Sequence, residues 1–161
     1  MIIKTLITLS LLLLSLSASA EKITGRVVSV SDGDTVTVLD STNTQHKIRL
    51  SGIDAPEKKQ PFGQVAKKTL SNLIYNKQVE VSYSKLDRYK RVVGKILLGN
   101  QDVNLEMLKS GMAWHYKKYQ KEQPVEDRLA YSDAETVAKN QKRGLWIDPN
   151  PEAPWDFRHP Q

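Results

Sequence analysis

The chain has 161 residues and no cysteine, so its length fits one domain with an apolar core, and a disulfide-held scaffold is excluded. Its 24 Lys and Arg outnumber 18 Asp and Glu, for a formal net charge of +6. That balance suits a polyanionic partner (nucleic acid, anionic lipid or glycan) and serves solubility equally well; charge alone does not separate the two.

Residues 1–20 read as a secretory signal peptide. Lys4 precedes an apolar run from Leu6 to Leu16, broken only by Thr8, Ser10 and Ser15, and Ala18-Ser19-Ala20 is a small-residue cleavage site. The run is shorter than the ~20 apolar residues of a spanning helix. The expectation is cleavage after Ala20 and a secreted or periplasmic protein. Cleavage leaves 141 residues, with 23 Lys and Arg against 18 Asp and Glu.

Ile23 to Val30 is rich in β-branched residues and predicts a strand. Ser31-Asp32-Gly33 predicts a turn, and Thr35 to Leu39 alternates as a second strand with Val36 and Val38 on one face. Asp40 to Asn43 turns the chain again. Gln45 to Leu50 predicts a third strand, with Ile48 and Leu50 on one face and Arg49 on the other. Ser51 to Gln60 reads as loop, and Pro61 as the opening of a helix with Phe62, Val65, Ala66, Leu70, Leu73 and Ile74 on its apolar stripe.

Gln78 to Tyr83 and Val92 to Leu98 predict two further strands, joined by the charged tip Lys85 to Arg91. A short helix over Val103 to Lys109 follows, capped by Asp102 or Asn104 and ended by Gly111. Basic and aromatic residues interleave from Ala113 to Tyr119. A third helix opens at Pro124, with Ala130, Ala134, Val137 and Ala138 on one stripe, and ends near Gly144. The pattern predicts an α+β fold: a five-stranded OB-fold-type β-barrel with three α-helices over residues 21–147. Residues 148–161 hold four prolines and read as an irregular tail.

Asp34 starts one strand and Asp54 follows the end of another, so a meander brings both carboxylates to one rim. Two carboxylates with main-chain carbonyls and water form a hard-oxygen site that suits calcium, whereas zinc takes His or Cys. Asp32 and Asp34 also read simply as turn residues. Arg49 and Arg91 offer two guanidinium forks that could clamp a phosphodiester, or two surface charges. Glu57 could accept a proton from water, or be a solvated loop carboxylate. Tyr89, Trp114, Tyr116 and Tyr119 beside lysines could stack on bases or pack in part. His46, His115 and His159 lack metal-ligand spacing.

Ser31-Asp32-Gly33-Asp34-Thr35, Ile48-Arg49-Leu50 and Gly52-Ile53-Asp54-Ala55-Pro56-Glu57 together resemble the signature of the thermonuclease family, the micrococcal or staphylococcal-type nucleases. Asp87-Arg88-Tyr89-Lys90-Arg91, Val103-Asn104 with Gly111-Met112-Ala113, and Gly144-Leu145-Trp146 resemble its later motifs. The likeness runs from Ile23 to Ile147. It implies an OB-type barrel and calcium-dependent cleavage of DNA and RNA to 3′-phosphate ends. By position, Asp34, Asp54 and the Ala55 carbonyl would hold Ca2+. Arg49, Glu57 and Arg91 would be catalytic, and Arg88, Tyr89 and Tyr119 would bind substrate. Two departures stand out: Ala55 replaces the Thr of reference members, and the loop Lys58 to Phe62 is short. The rival reading is an inactive nucleic-acid-binding OB module. The presence of Arg49, Glu57 and Arg91 with both aspartates argues against it.

Overall fold

β-Branched runs build the strands of the molecule, a computed structural model that describes residues 21–160. The proposed signal peptide therefore lies outside the described residues. The long strands are β1 (Glu21–Asp32), β2 (Thr35–Asp40) and β3 (Gln45–Leu50). A short β4 (Ile53–Asp54) precedes helix α1 (Gly63–Ile74), followed by strands β5 (Gln78–Leu86) and β6 (Val92–Leu98). Then come β7 (Gln101–Asp102), α2 (Val103–Lys109), β8 (Trp114–His115), α3 (Val125–Asn140) and α4 (Pro154–Phe157).

Antiparallel pairing runs β3-β2-β1-β5-β6-β7, and a parallel contact of β3 with β6 closes the ring. In that contact Ile48 faces Val92, Arg49 faces Val93 and Leu50 faces Gly94. Five strands thus form a closed barrel, which leaves their backbone groups paired around the ring. Alternate residues point inward: Val27, Val36, Val38, Ile48 and Ile96 are fully buried. Each such side chain contributes about 1.5–3 kcal/mol through burial.

The β2–β3 turn is organised by one carboxylate. Asp40 accepts the Thr42 and Thr44 N–H groups at 2.8 and 2.9 Å, and His46 Nε2 lies 2.7 Å from its other oxygen. The His46 contact and the turn donors hold the Asp40 carboxyl below the usual carboxylate range.

Three local expectations are revised. α1 begins at Gly63 rather than Pro61, because Phe62 takes a left-handed conformation (φ 67°) before it. Its buried stripe is Gly63, Ala66, Leu70 and Ile74, and Val65 is exposed. The buried stripe of α3 is Tyr131, Ala134, Glu135 and Ala138, which leaves Ala130 and Val137 exposed. Polar partners fix that rotation. Tyr131 donates its hydroxyl to Asp102, and Glu135 accepts the His115 N–H at 3.0 Å and pairs with Lys117 and Lys139. Finally, the tail is not wholly irregular, since Pro154 occupies the first turn of α4. Gly111 and Gly144 meet back to back: a Cβ on Gly144 would lie 2.3 Å from the Gly111 oxygen.

Asn104 ties α2 to the barrel seam. Its amide donates to the Ser51 oxygen at 2.9 Å and the Gly94 oxygen at 3.2 Å, and its Oδ1 accepts the Ile96 N–H. Asn104→Ala leaves these buried groups short of partners and is expected to cost about 2–4 kcal/mol, read from urea unfolding.

Candidate active site

Two strand ends and one short bridge bring the acidic residues together. Asp34 stands just before β2, where Asp32 Oδ1 accepts its N–H at 3.1 Å, so the paired aspartates do form a turn. Asp54 is fixed in β4, which pairs with β8 so that Asp54 faces Trp114. This bridge lies inside the stretch expected to be loop. The Ala55 N–H then donates to Asp34 Oδ2 at 2.6 Å. Asp34 and Asp54 are 6 % and 1 % exposed.

Arg49 joins the pair. Its Nη1 lies 3.2 Å from Asp34 Oδ2, and its Nη2 donates to Asp54 Oδ1 at 2.8 Å. Nη1 also donates to the Leu50 and Ile53 carbonyl oxygens, both at 3.0 Å. The Arg49 fork, read from sequence as a phosphodiester clamp or a surface charge, is thus also a counter-charge to both aspartates. Burial pushes the Asp34 carboxyl up to about 7; Arg49 opposes that rise, and Asp32 and Asp54 add to it.

Glu57 is held through its backbone. Its N–H donates to Gln60 Oε1 at 3.0 Å, and its oxygen accepts the Gln60 N–H at 2.8 Å. α1 packs directly on this turn, since a Cβ on Gly63 would lie 1.9 Å from the Glu57 oxygen. Only glycine allows that approach. Arg91 stands just before β6 and gives its Nε to Asp87 Oδ2 at 2.7 Å. Among the described residues its two Nη groups have no hydrogen-bond partner. Burial works against ionisation of Asp87, but donation from the Arg91 backbone and side chain prevails and lowers its pKa.

Every residue to which the family resemblance gives a site role lines one open cleft of about 1570 Å³: Asp34, Arg49, Asp54, Ala55, Glu57, Arg88, Tyr89, Arg91 and Tyr119. Tyr89 is 65 % exposed and lies against the guanidinium groups of Arg88 and Arg91, 4.8 and 5.5 Å from its ring centre. Tyr119 packs edge-on to Tyr116. His115 is buried against Gln123 and Glu135, and so is structural.

The sequence reading missed the tail. Arg158 donates to Asp54 through Nη2 at 2.7 Å and Nη1 at 3.2 Å, and to Glu57 Oε1 through Nη1 at 2.7 Å. Trp155 stacks on Tyr116 with ring centres 5.5 Å apart. The signal was present: Pro154-Trp155-Asp156-Phe157 is a helix start with two aromatics in a proline-rich stretch.

Among the described residues no group of three or more His, Cys, Asp or Glu side chains forms a metal cluster. A cation here would have two carboxylates, with main-chain and water oxygens completing its shell. The donors fit a hard cation: Asp34 and Asp54 are buried, all-oxygen and close enough to share one guanidinium.

The small barrel thus gathers two buried carboxylates, a half-exposed glutamate and several arginines in one cleft, a set of side chains suited to a cation and a phosphodiester. A family model described as Staphylococcal nuclease homologue matches residues 47–148. The chain is 45 % identical over 157 residues to a Haemophilus influenzae protein described as an uncharacterized endonuclease, with 96 % of this chain and 85 % of that one covered. It is 41 % identical over 154 residues to an Escherichia coli protein of the same description, covering 95 % and 96 %. A micrococcal nuclease of Shigella flexneri is 38 % identical over 143 residues, covering 83 % and 79 %. The chain belongs to the staphylococcal nuclease family.

The raised pKa of Asp34 sets a pH signature. The unfolded carboxyl ionises near 3.8 and the folded one near 7, so the metal-free native state is penalised as pH rises through that window. Asp34→Asn removes the penalty. Its stability relative to wild type, from urea unfolding in chelator, is expected to rise by about 1–4 kcal/mol between about pH 4 and pH 8.

Proposed function

We propose that this nuclease depends on calcium and hydrolyses DNA and RNA to products with 3′-phosphate ends. The observation that carries the reading is the shared cleft, in which two buried carboxylates, a half-exposed glutamate and the unsatisfied fork of Arg91 meet. Asp34 and Asp54 would hold the cation, with the Ala55 carbonyl as a further donor. When bound, it supplies positive charge that draws electron density off a non-bridging phosphate oxygen.

The remaining steps fall to side chains. Glu57 accepts a proton from the attacking water, whose oxygen bonds to phosphorus. The bond from phosphorus to the 5′-oxygen breaks. That oxygen takes up a proton from solvent in the open cleft and leaves as a hydroxyl, and the phosphate stays on the 3′ side. Arg49 and Arg91 stabilise the extra negative charge of the transition state. Asp87 fixes the plane of Arg91 through Nε, which leaves the Nη groups for oxygen. The exposed lysines Lys58, Lys59, Lys117 and Lys118 add salt-sensitive contacts to the nucleic-acid backbone. Arg88, Tyr89 and Tyr119 contact the nucleotide, with the tyrosine rings available for stacking. The N-terminal segment would export the chain, which acts as a monomer with no obligate protein partner.

Purified mature protein is expected to cleave single-stranded DNA and RNA in calcium, to stop in chelator, and to leave 3′-phosphate ends. Cleavage in chelator or 5′-phosphate products would contradict the reading. Binding without cleavage would favour the inactive OB module. Arg49→Lys keeps the charge but loses the fork, and its kcat is expected to fall by ~10²–10³. Near-native kcat in that variant would sink the role given to Arg49.

A further inference from the structure

The tail residue Arg158 sits where two different tasks meet. Its planar fork reaches both oxygens of Asp54 and one oxygen of Glu57, at 2.7–3.2 Å. Among the described residues Arg158 is the one charged partner of the Glu57 carboxylate. Asp54 has Arg49 as well, so Glu57 depends on the tail more than Asp54 does. The carboxylates also raise the Arg158 pKa, led by its hydrogen bonds to Asp54, so it stays charged.

Three fastenings bring Arg158 to this point. Gln60 donates to the Glu152 oxygen at 2.6 Å while its Oε1 accepts the Glu57 N–H. One side chain thus grips the tail and the Glu57 turn together. Trp155 lies parallel to Tyr116 with an interplanar angle of 5°, and edge-on to Trp114 at 5.5 Å. Trp114 is the residue that faces Asp54 across the β4–β8 bridge. The tail is therefore anchored to the same elements that carry Asp54 and Glu57.

Resting on the nuclease reading above, we propose that Arg158 is a positioning residue of the active site, which holds Glu57 at a fixed offset from Asp54. The tail from Glu152 to Arg158 is the strap that delivers it. A flexible glutamate on a short loop has many rotamers, and a planar fork bound to a fixed aspartate selects one. Lysine can satisfy one carboxylate but not both in a fixed plane.

The test is steady-state cleavage of single-stranded DNA in saturating calcium. Wild type is compared with Arg158→Ala, Arg158→Lys, Trp155→Ala, Glu57→Gln and the double variant Glu57→Gln/Arg158→Ala. Arg158→Ala is expected to lower kcat by ~10²-fold with KM changed less than about threefold. Millimolar guanidinium ion is expected to restore part of that loss, and Arg158→Lys to fall between. Trp155→Ala, whose urea midpoint reports on folding, is expected to lose kcat in the same direction. On the Glu57→Gln background the Arg158 effect is expected to shrink below about tenfold, because the residue acts through Glu57. Arg158→Ala at or above native kcat would overturn the proposal and make Arg158 a stand-in that the cation displaces. Full additivity with Glu57→Gln, or no response to guanidinium, would also overturn it. An inactive wild type strikes the nuclease reading itself, and the proposal with it.

Discussion

Asp34 and Asp54 are both taken out of water, and both reach the fork of Arg49. Burying two carboxylates costs several kcal/mol each unless charge and hydrogen bonds offset it. The barrel supplies that offset at its seam. Thr35 of β2 and Val93 of β6 both flank Arg49 in register, so closing the ring aims the guanidinium at the rim where the aspartates lie. The Ala55 N–H and Thr35 hydroxyl complete the donors around Asp34. A slip of one residue in β3 would exchange Arg49 with Ile48 or Leu50, placing a charge in the core and removing it from the site.

The site still carries excess acid at its centre. Asp34, Asp54 and Glu57 face Arg49 and Arg158, and burial holds the Asp34 carboxyl well above its usual pKa. An incoming cation would relieve that strain, because it favours the ionised form of each carboxylate. The stability given up at the rim is recovered in the barrel interior, where β-branched side chains are fully buried. Active sites commonly hold such locally unfavourable groups on an otherwise consistent scaffold.

Much of the fold was legible because alternation and helix capping are local. β3 and β6 have the ends expected from their residues, and α2 runs from Val103 to Lys109 with Asp102 as its cap. The rotation of α3 was not legible, since it turns on Tyr131 and Glu135 finding Asp102 and His115 in other elements. The start of α1 was misread because Phe62 adopts a conformation that no local signal demands. The site shows the same division. Asp34, Arg49, Glu57 and Arg91 each have an ordinary turn or surface reading alone, and only their order as a set of family motifs makes them stand out. Arg158 lay outside those motifs. Its role emerges when α4 folds back some hundred residues along the chain onto Asp54 and Glu57.

We propose the buried aspartate pair at the barrel seam as a cation site. Calorimetric titration of calcium into the mature, metal-free chain and its Asp54→Asn variant tests it most directly. The account predicts one ion bound per wild-type chain and none in the variant. Equal binding by both would contradict it.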